Sequence, residues 1–429
     1  MILVLGGGPA GRMAALRLAN AGKQVTIIEK RAVGGQCVFD GCMLVCGLND
    51  VARAIENGDQ LKRLGVLTGE SLKPDYPKLL EQLESTQKLF SHILEKETLE
   101  AGVTIEAGMA EVRDGKVFVD GVEREAEAVI IATGAQPNIP DIPGINLAGV
   151  YHARTLRTMR TLPKELVIIG GSISAAEFAY IYAAFGVKVH LIVRSTLLKM
   201  LPEAFLNDAR RDLNKVDIRE HAEVTKIEGT NTVTGVRVNG ETISCDAVII
   251  ATGMKPESPY VTGLAKRNDG AILVNEKMET SIPNIYACGD VIGEPYFTPV
   301  SRLQGFAAAD AILGNPRTVD LTQVPFSIVL GRDYACCLPT KEGNVETYLN
   351  IGGPGTFWSA AERTMGHMML STDDDGRILG FASSSPGAGI VATYLGYLTR
   401  KGATVRDFGQ MLEVHPMPDG LYSMIRFTE

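Results

Sequence analysis

No apolar run in this 429-residue chain reaches the ~18 residues of a membrane-crossing helix before a charged side chain interrupts it. Positive charge is also in short supply. Lys and Arg number 42 against 50 Asp and Glu, a formal charge of −8, and a mildly acidic surface argues against a general nucleic-acid binder, which needs a basic field. Proline is sparse at 20 residues, beside 46 glycines. Glycine at about 11%, against a usual ~7%, without a matching excess of proline points to many tight strand-to-helix turns and not to a low-complexity linker. The hydrophobic fraction of 45% and charged fraction of 21% exclude a disordered chain. Seven cysteines, an odd number scattered through a large chain, do not make a secreted disulfide framework. The chain opens on MILVLGGG, with no basic leader or cleavage site in view. These features predict a cytoplasmic protein of about three domains, with no nucleic-acid or membrane partner.

What the chain does have is an internal repeat. AVIIATG at 128–134 recurs as AVIIATG at 247–253, each copy followed three positions later by a proline, Pro137 and Pro256. Upstream of each lies an apolar strand running into a glycine turn, ILVLGGGPAG at 2–11 and LVIIGGSISA at 166–175. An alanine-rich helical stretch and a second apolar strand follow, QVTIIE at 24–29 and KVHLIV at 188–193. Strand, glycine turn, helix, strand is the βαβ pattern of a parallel sheet, so two related nucleotide-binding modules are expected. Leu79, Leu80, Leu83, Leu89, Ile93 and Leu94 recur at helical spacing within 77–101, read as a packing helix of the first module. After residue 320 come strand-like runs, turns at GGPG (352–355) and DDDG (373–376), and helical patterning from about 386, an α+β third domain.

Gly6, Gly8 and Gly11 form G-x-G-x-x-G after the first strand. The first permits a tight turn, the second lets a pyrophosphate approach the backbone, and the third lets helix and strand pack closely. The helix N-terminus then faces the phosphates, and Glu29, at the end of the next strand, can accept from both ribose hydroxyls. In the second turn Gly170 is kept, Ser172 replaces the pyrophosphate-facing glycine and Ala175 the packing glycine. No acid matches Glu29. Val193 is followed by Arg194, with Lys199 nearby, which fits a ribose carrying a 2′-phosphate, and so NADP(H) over NAD(H); the other reading of Arg194 is a surface arginine at a strand end.

Cys37 and Cys42 are separated by four residues in GGQCVFDGC, with helix-like sequence after the second. Cys42 is expected in the first turn of that helix, where the dipole and free N–H groups stabilise a thiolate. No second Cys/His pair lies at zinc-site spacing, so no metal is expected. Cys245 and Cys288 read as core, and Cys336-Cys337 as either a passive strand pair or a metal or redox pair. His92, His152, His190, His221 and His367 show no clustering.

GGQCVFDGC resembles the redox-active disulfide motif of the class I pyridine nucleotide-disulfide oxidoreductases, which include dihydrolipoamide dehydrogenase, glutathione reductase and mercuric reductase. The resemblance runs through the whole chain. The two AVIIATG segments match the family's FAD- and NAD(P)-domain ATG segments, implying cofactor contacts at Thr133, Gly134 and Gly253. TSIPNIYACGD at 280–290 resembles the second flavin motif, with Asp290 on the ribityl chain, and Thr298-Pro299-Val300 with Gln304-Gly305 resembles the segment against the flavin ring. GRILGFASSSPGAG at 376–389, KGATVRDF at 401–408 and His415-Pro416 resemble the dimerisation domain and its His-Pro pair. Two positions depart from the family. The lysine that follows the second cysteine, beside the flavin, is Cys46, although its glutamate partner is retained as Glu177; the glutamate that orients the histidine is replaced by Gly420, next to Asp419.

The resemblance implies an α/β protein with two Rossmann-like dinucleotide-binding domains plus an α+β C-terminal dimerisation domain. The FAD domain spans 1–145 and 257–320, the NAD(P) domain 146–256, and the interface domain 321–429. It further implies an FAD enzyme passing electrons from NADPH to a Cys37–Cys42 disulfide and on to a small disulfide substrate. Cys42 then lies against the flavin, Cys37 is the interchange thiol, and His415 acts from the second subunit of a homodimer. Two other readings stand beside it: a diaphorase reducing quinone, oxygen or metal ions, and a non-catalytic redox-sensing flavoprotein.

Overall fold

The structure, a computed structural model, describes residues 1–350, 353–410, 412 and 414–416. Asp419 and Gly420 therefore lie outside the described residues, as do the 417–429 part of the expected third domain and Gly352 of the GGPG turn. The α-helices among the described residues are α1 (Pro9–Asn20), α2 (Gly35–Phe39), α3 (Cys42–Arg63), α4 (Tyr76–Glu100), α5 (Ile173–Ala184), α6 (Glu203–Asp212), α7 (Thr298–Ile312) and α8 (Ala388–Arg400).

Ile2–Leu5 is apolar and buried at every position, as a strand covered on both faces must be. It is the middle strand of a parallel five-stranded sheet, ordered Ile285–Ala287, Ala128–Ile131, Ile2–Leu5, Val25–Glu29, Thr104–Ala107. The second module repeats the plan around Glu165–Ile169, with order Val216–Glu220, Lys188–Val193, Glu165–Ile169, Ala247–Ile250, Val150–His152, again parallel. The two AVIIATG copies occupy equivalent places: Ile2 faces Ala128 in register just as Leu166 faces Ala247.

Beyond each copy the chain forms a three-residue strand, Ala135–Pro137 and Met254–Pro256, and these pair antiparallel with each other. The flanking bonds come in matched pairs. Glu257 N donates to Gly134 O at 2.8 Å and Asn138 N to Gly253 O at 2.9 Å; Thr133 Oγ1 donates to Glu257 O at 2.7 Å and Thr252 Oγ1 to Asn138 O at 2.6 Å. The repeat thus joins the two modules.

The third sheet is antiparallel, ordered Phe326–Val329, Asp333–Cys337, Ile378–Ser384, His367–Thr372, Asn344–Leu349. Helix α8 covers one face through Ala388, Val391, Ala392 and Leu395, packed on Phe381 and Leu370. Helix α6 of the second module binds this domain through buried polar contacts. Asp212 takes Arg332 at 2.9 Å and the Tyr334 hydroxyl at 2.9 Å, and Asp208 takes His367 Nδ1 and Ser384 Oγ, each at 2.7 Å.

The apolar spacing within 77–101 does form a helix, but only part of its stripe is inward. Leu80 is buried, whereas Leu89, Phe90 and Ile93 are exposed. Its buried polar positions hold the neighbouring segment: Gln87 Nε2 donates to Val38 O at 2.8 Å and Ser91 Oγ to Val33 O at 2.6 Å. No helix among the described residues is long and apolar enough to cross a membrane.

Candidate functional site

A cleft of about 710 Å³ runs from the first glycine turn to the cysteine pair. Gly6 adopts φ +112°, and a Cβ there would sit 2.4 Å from Ala132 O; only glycine fits. Gly11 lines no part of the cleft. Its absent side chain lets α1 rest on the turn, since a Cβ would lie 2.0 Å from Gly6 O. At Gly8, the N-cap of α1, nothing stands within 4 Å of a Cβ and no side chain caps the helix, leaving its N–H groups open to an anion. Glu29 accepts from Gly7 N and Arg31 N, each at 2.7 Å; a carboxylate has about four acceptor positions, so acceptor capacity is left toward the cleft. Thr133, Gly134, Asp290 and Thr298 line the same space. Asp290 accepts from Ser301 Oγ at 3.0 Å, and burial raises its carboxyl above the ordinary range. An uncapped helix end, a ribose-facing acid and a long groove ending at two thiols fit a dinucleotide carrying a redox ring.

The cysteines come from two different elements. Cys37 lies on α2, and Cys42 is the first residue of α3. Gly34 (φ +107°) and Gly35 (φ +57°) fold α2 onto the turn, with Gly34 N donating to Gly7 O at 2.9 Å. Asp40, wholly buried between the two cysteines, is clamped by Arg31 at 2.6 Å and Arg157 at 2.8 Å. Thr298, the first residue of α7, places its hydroxyl 3.5 Å from Cys37 Sγ and 3.6 Å from Cys42 Sγ. Both thiols are free, and the exposed surface of Cys42 faces the cleft.

Helix position alone points to Cys42 as the thiolate; in the structure the contact between the two sulfurs acts on the pair as well. Cys42 donates to Cys37, which holds the Cys37 thiol down at about 6 against the opposing effect of burial, with the Thr298 hydroxyl and the Arg302 charge assisting. The same hydrogen bond and burial push Cys42 up. Alkylation of the reduced protein at Cys37 is therefore expected to rise through pH about 6. Thr298→Val removes a donor to the thiolate and should move that midpoint up by about one to two pH units. An unchanged midpoint would remove Thr298 from the pair.

Glu177 and Cys46 line the same cleft. Glu177 is buried and accepts from Val329 N at 3.1 Å; the Cys46 thiol, on the cleft wall, is raised chiefly by its burial. Near the glycine turn Glu257 holds Lys30 at 2.6 Å and also Arg154, and those bonds keep its carboxyl below the ordinary range although burial opposes them.

A second cleft of about 680 Å³ is lined by Gly170, Ser172, Arg194, Lys199, Glu223 and Gly253 among others. Gly170 repeats the role of Gly6: its φ is +146°, and a Cβ would lie 2.2 Å from Ala251 O. Ser172 is the N-cap of α5 and spends no side-chain bond on the helix. Arg194 is exposed and has no ion-pair partner among the described residues.

His415, expected to serve the dithiol from a second subunit, is exposed and does not line the dithiol cleft of its own chain. Thr298 was expected against the flavin ring but not with its hydroxyl over both sulfurs, and Arg302 beside Cys37 and the Arg31–Asp40–Arg157 clamp were missed by sequence reasoning. Their partners lie as far as 261 residues apart in sequence, and no local pattern announces such pairings. Cys245, Cys288, Cys336 and Cys337 are all buried. No group of three or more His, Cys, Asp or Glu among the described residues is arranged to hold a metal ion.

Comparison with known proteins agrees with this geometry. The chain is 29% identical over 323 residues to dihydrolipoyl dehydrogenase of Acholeplasma laidlawii, covering 73% of this chain and 96% of that one. It is 30% identical over 348 residues to mercuric reductase of Shigella flexneri, covering 76% of this chain and 61% of that one. Its fold matches the HOCl-induced flavoprotein disulfide reductase RclA from Escherichia coli with a TM-score of 0.87 over 100% of both chains, at 24% identity. LpdA from Mycobacterium tuberculosis matches with a TM-score of 0.86 over 99% of both, at 22% identity. Residues 1–305 match the family described as pyridine nucleotide-disulphide oxidoreductase, and the chain belongs to that family of FAD-dependent enzymes.

Proposed function

We propose that this enzyme passes electrons from NADPH to the Cys37–Cys42 pair and on to a small disulfide, acting as a homodimer through residues 321–429. In this reading 1–145 with 257–320 hold FAD and 146–256 the coenzyme. The observation that carries it is the cysteine pair on the cleft wall, one sulfur activated by the other and both beside the Thr298 hydroxyl. FAD bound along Gly6, Gly8, Glu29, Thr133, Gly134, Asp290 and Thr298 would supply the two-electron link between coenzyme and dithiol. The chain's own residues do the rest. The Cys37 thiolate attacks one sulfur of the substrate, forming a mixed disulfide and releasing the first product thiolate. Cys42 then gives up its proton and attacks Cys37, closing the Cys37–Cys42 bond and releasing the second product. The partner subunit's His415 is the base proposed to take and return that proton.

The coenzyme preference rests on Arg194 and Lys199 at the wall of the second cleft. Loss of a charge-assisted contact to a 2′-phosphate is worth ~1.5–3 kcal/mol. Arg194→Ala is therefore expected to raise KM for NADPH by about 10- to 100-fold while leaving that for NADH nearly unchanged; equal effects would remove Arg194 from the site. The function itself is tested by turnover on a panel of small disulfides beside quinones, with each coenzyme. Disulfide turnover dependent on both cysteines supports it. Quinone turnover alone, indifferent to them, would favour a diaphorase, and no turnover with any acceptor a redox-sensing protein.

A further inference from the structure

The exchange chemistry leaves one buried carboxyl in the cleft without a task. Glu177 on α5 is 7% exposed, and one of its oxygens accepts the Val329 N–H. No ion-pair partner lies within reach of it among the described residues. A carboxylate buried this way is costly when it has no cation. From α3 it faces Cys42 and Cys46, with Asp50 and Arg53 farther along the same helix. The Arg53 guanidinium is committed elsewhere, to Leu330 O at 2.6 Å and Asp333 at 2.7 Å. The strand Phe326–Val329 offers only a backbone N–H, and the sheet beneath α5 presents Leu166, Ile168, Val189 and Leu191 to the core.

We propose that Glu177 takes up a proton when the Cys37–Cys42 disulfide is reduced and releases it when the disulfide re-forms, a role that rests on reading those cysteines as the redox pair. In the disulfide state neither sulfur is charged. Two electrons break the S–S bond, leaving one sulfur as a thiolate and the other as a thiol. The new negative charge beside Glu177 raises its affinity for a proton. Burial is the main cause that holds the carboxyl up, at about 8, and the reduced cysteine pair adds to it. One disulfide, one carboxylate, two electrons and two protons thus give one thiolate, one thiol and one neutral carboxyl. Cys46 is what permits this: a lysine at that position would keep Glu177 ionised in both states, whereas a neutral thiol leaves it free to titrate.

The test measures the two-electron potential of the holoenzyme against pH in the wild type, Glu177→Gln and Cys46→Lys. One extra proton per two electrons steepens the dependence by ~30 mV per pH unit, the equivalent of tenfold in a two-electron equilibrium. The wild type is expected to show that excess slope only between the carboxyl's midpoints in the oxidised and the reduced enzyme, the upper one near pH 8, and both variants to lack it. The reduced-minus-oxidised infrared spectrum of the wild type should also gain a neutral-carboxyl C=O band that Glu177→Gln does not. Equal slopes in wild type and Glu177→Gln, with no such band, would overturn the proposal. If Glu177→Gln does not fold, Cys46→Lys and the wild-type spectrum decide it alone. Thiol titration after dithionite reduction keeps the two readings separable. No gain of two thiols defeats the redox-pair reading, whereas two new thiols with equal slopes defeat only the role of Glu177.

Discussion

Cys42→Ser is expected to lower disulfide turnover by roughly 10⁴-fold or more, the scale on which loss of an enzyme's nucleophile acts, while FAD stays bound. Without Cys42 the mixed disulfide on Cys37 has no neighbour to resolve it. Cys37 also loses the donor that holds its thiol at about 6, so alkylation of the remaining cysteine should shift to higher pH. Cys37→Ser should abolish turnover as completely but leave Cys42, freed of its anionic neighbour, as the sulfur on the cleft wall. A long-wavelength thiolate–flavin absorbance is then expected after reduction of Cys37→Ser and not of Cys42→Ser. Substantial disulfide turnover in either variant would show that the pair is not the exchange centre.

The second large effect falls far from the cysteines. Arg332→Ala should destabilise the protein by about 3–5 kcal/mol, the usual cost of breaking a buried ion pair from one side. Arg332 and Asp212 have side chains 12% and 7% exposed, and the arginine also donates to Thr364 O at 2.6 Å. Its removal leaves Asp212 with the Tyr334 hydroxyl and no cation, at the joint between α6 and the third sheet. Thermal unfolding should begin several degrees lower, and Arg332→Ala with Asp212→Ala should recover part of the loss because no lone charge remains buried. A double variant as unstable as the sum of the single ones would mean that the two groups act independently.

Much of the fold was legible because the repeat is local and its glycines are forced. Gly6 and Gly170 sit at positive φ against a carbonyl in equivalent places, and a conformational demand of that kind leaves its mark on the sequence. The cysteine motif was legible for the same reason, since two glycines must precede it for α2 to reach the turn. The acid–base order of the two thiols was not. It depends on which sulfur donates to the other and on Thr298 arriving from α7, and neither is written in the spacing of Cys37 and Cys42. That Leu89 and Ile93 face outward on α4 was not legible, because helical periodicity records which residues share a face but not whether anything covers it.

The seam between the two modules has the geometry of a symmetric dimer contact. Counting from the start of each AVIIATG copy, Gln136 and Lys255 occupy the same place, and they face each other at its centre; Ala135 meets Pro256, and Pro137 meets Met254. Each residue thus pairs with the counterpart of its own mirror position, as in the isologous interface of a two-fold homodimer, where one patch serves both sides. A single module carrying this strand could have bound a second copy of itself, and fusing two such genes would have required no new surface. The contact now holds in one chain two halves that differ at the end of their second strands, where one has Glu29 and the other Arg194.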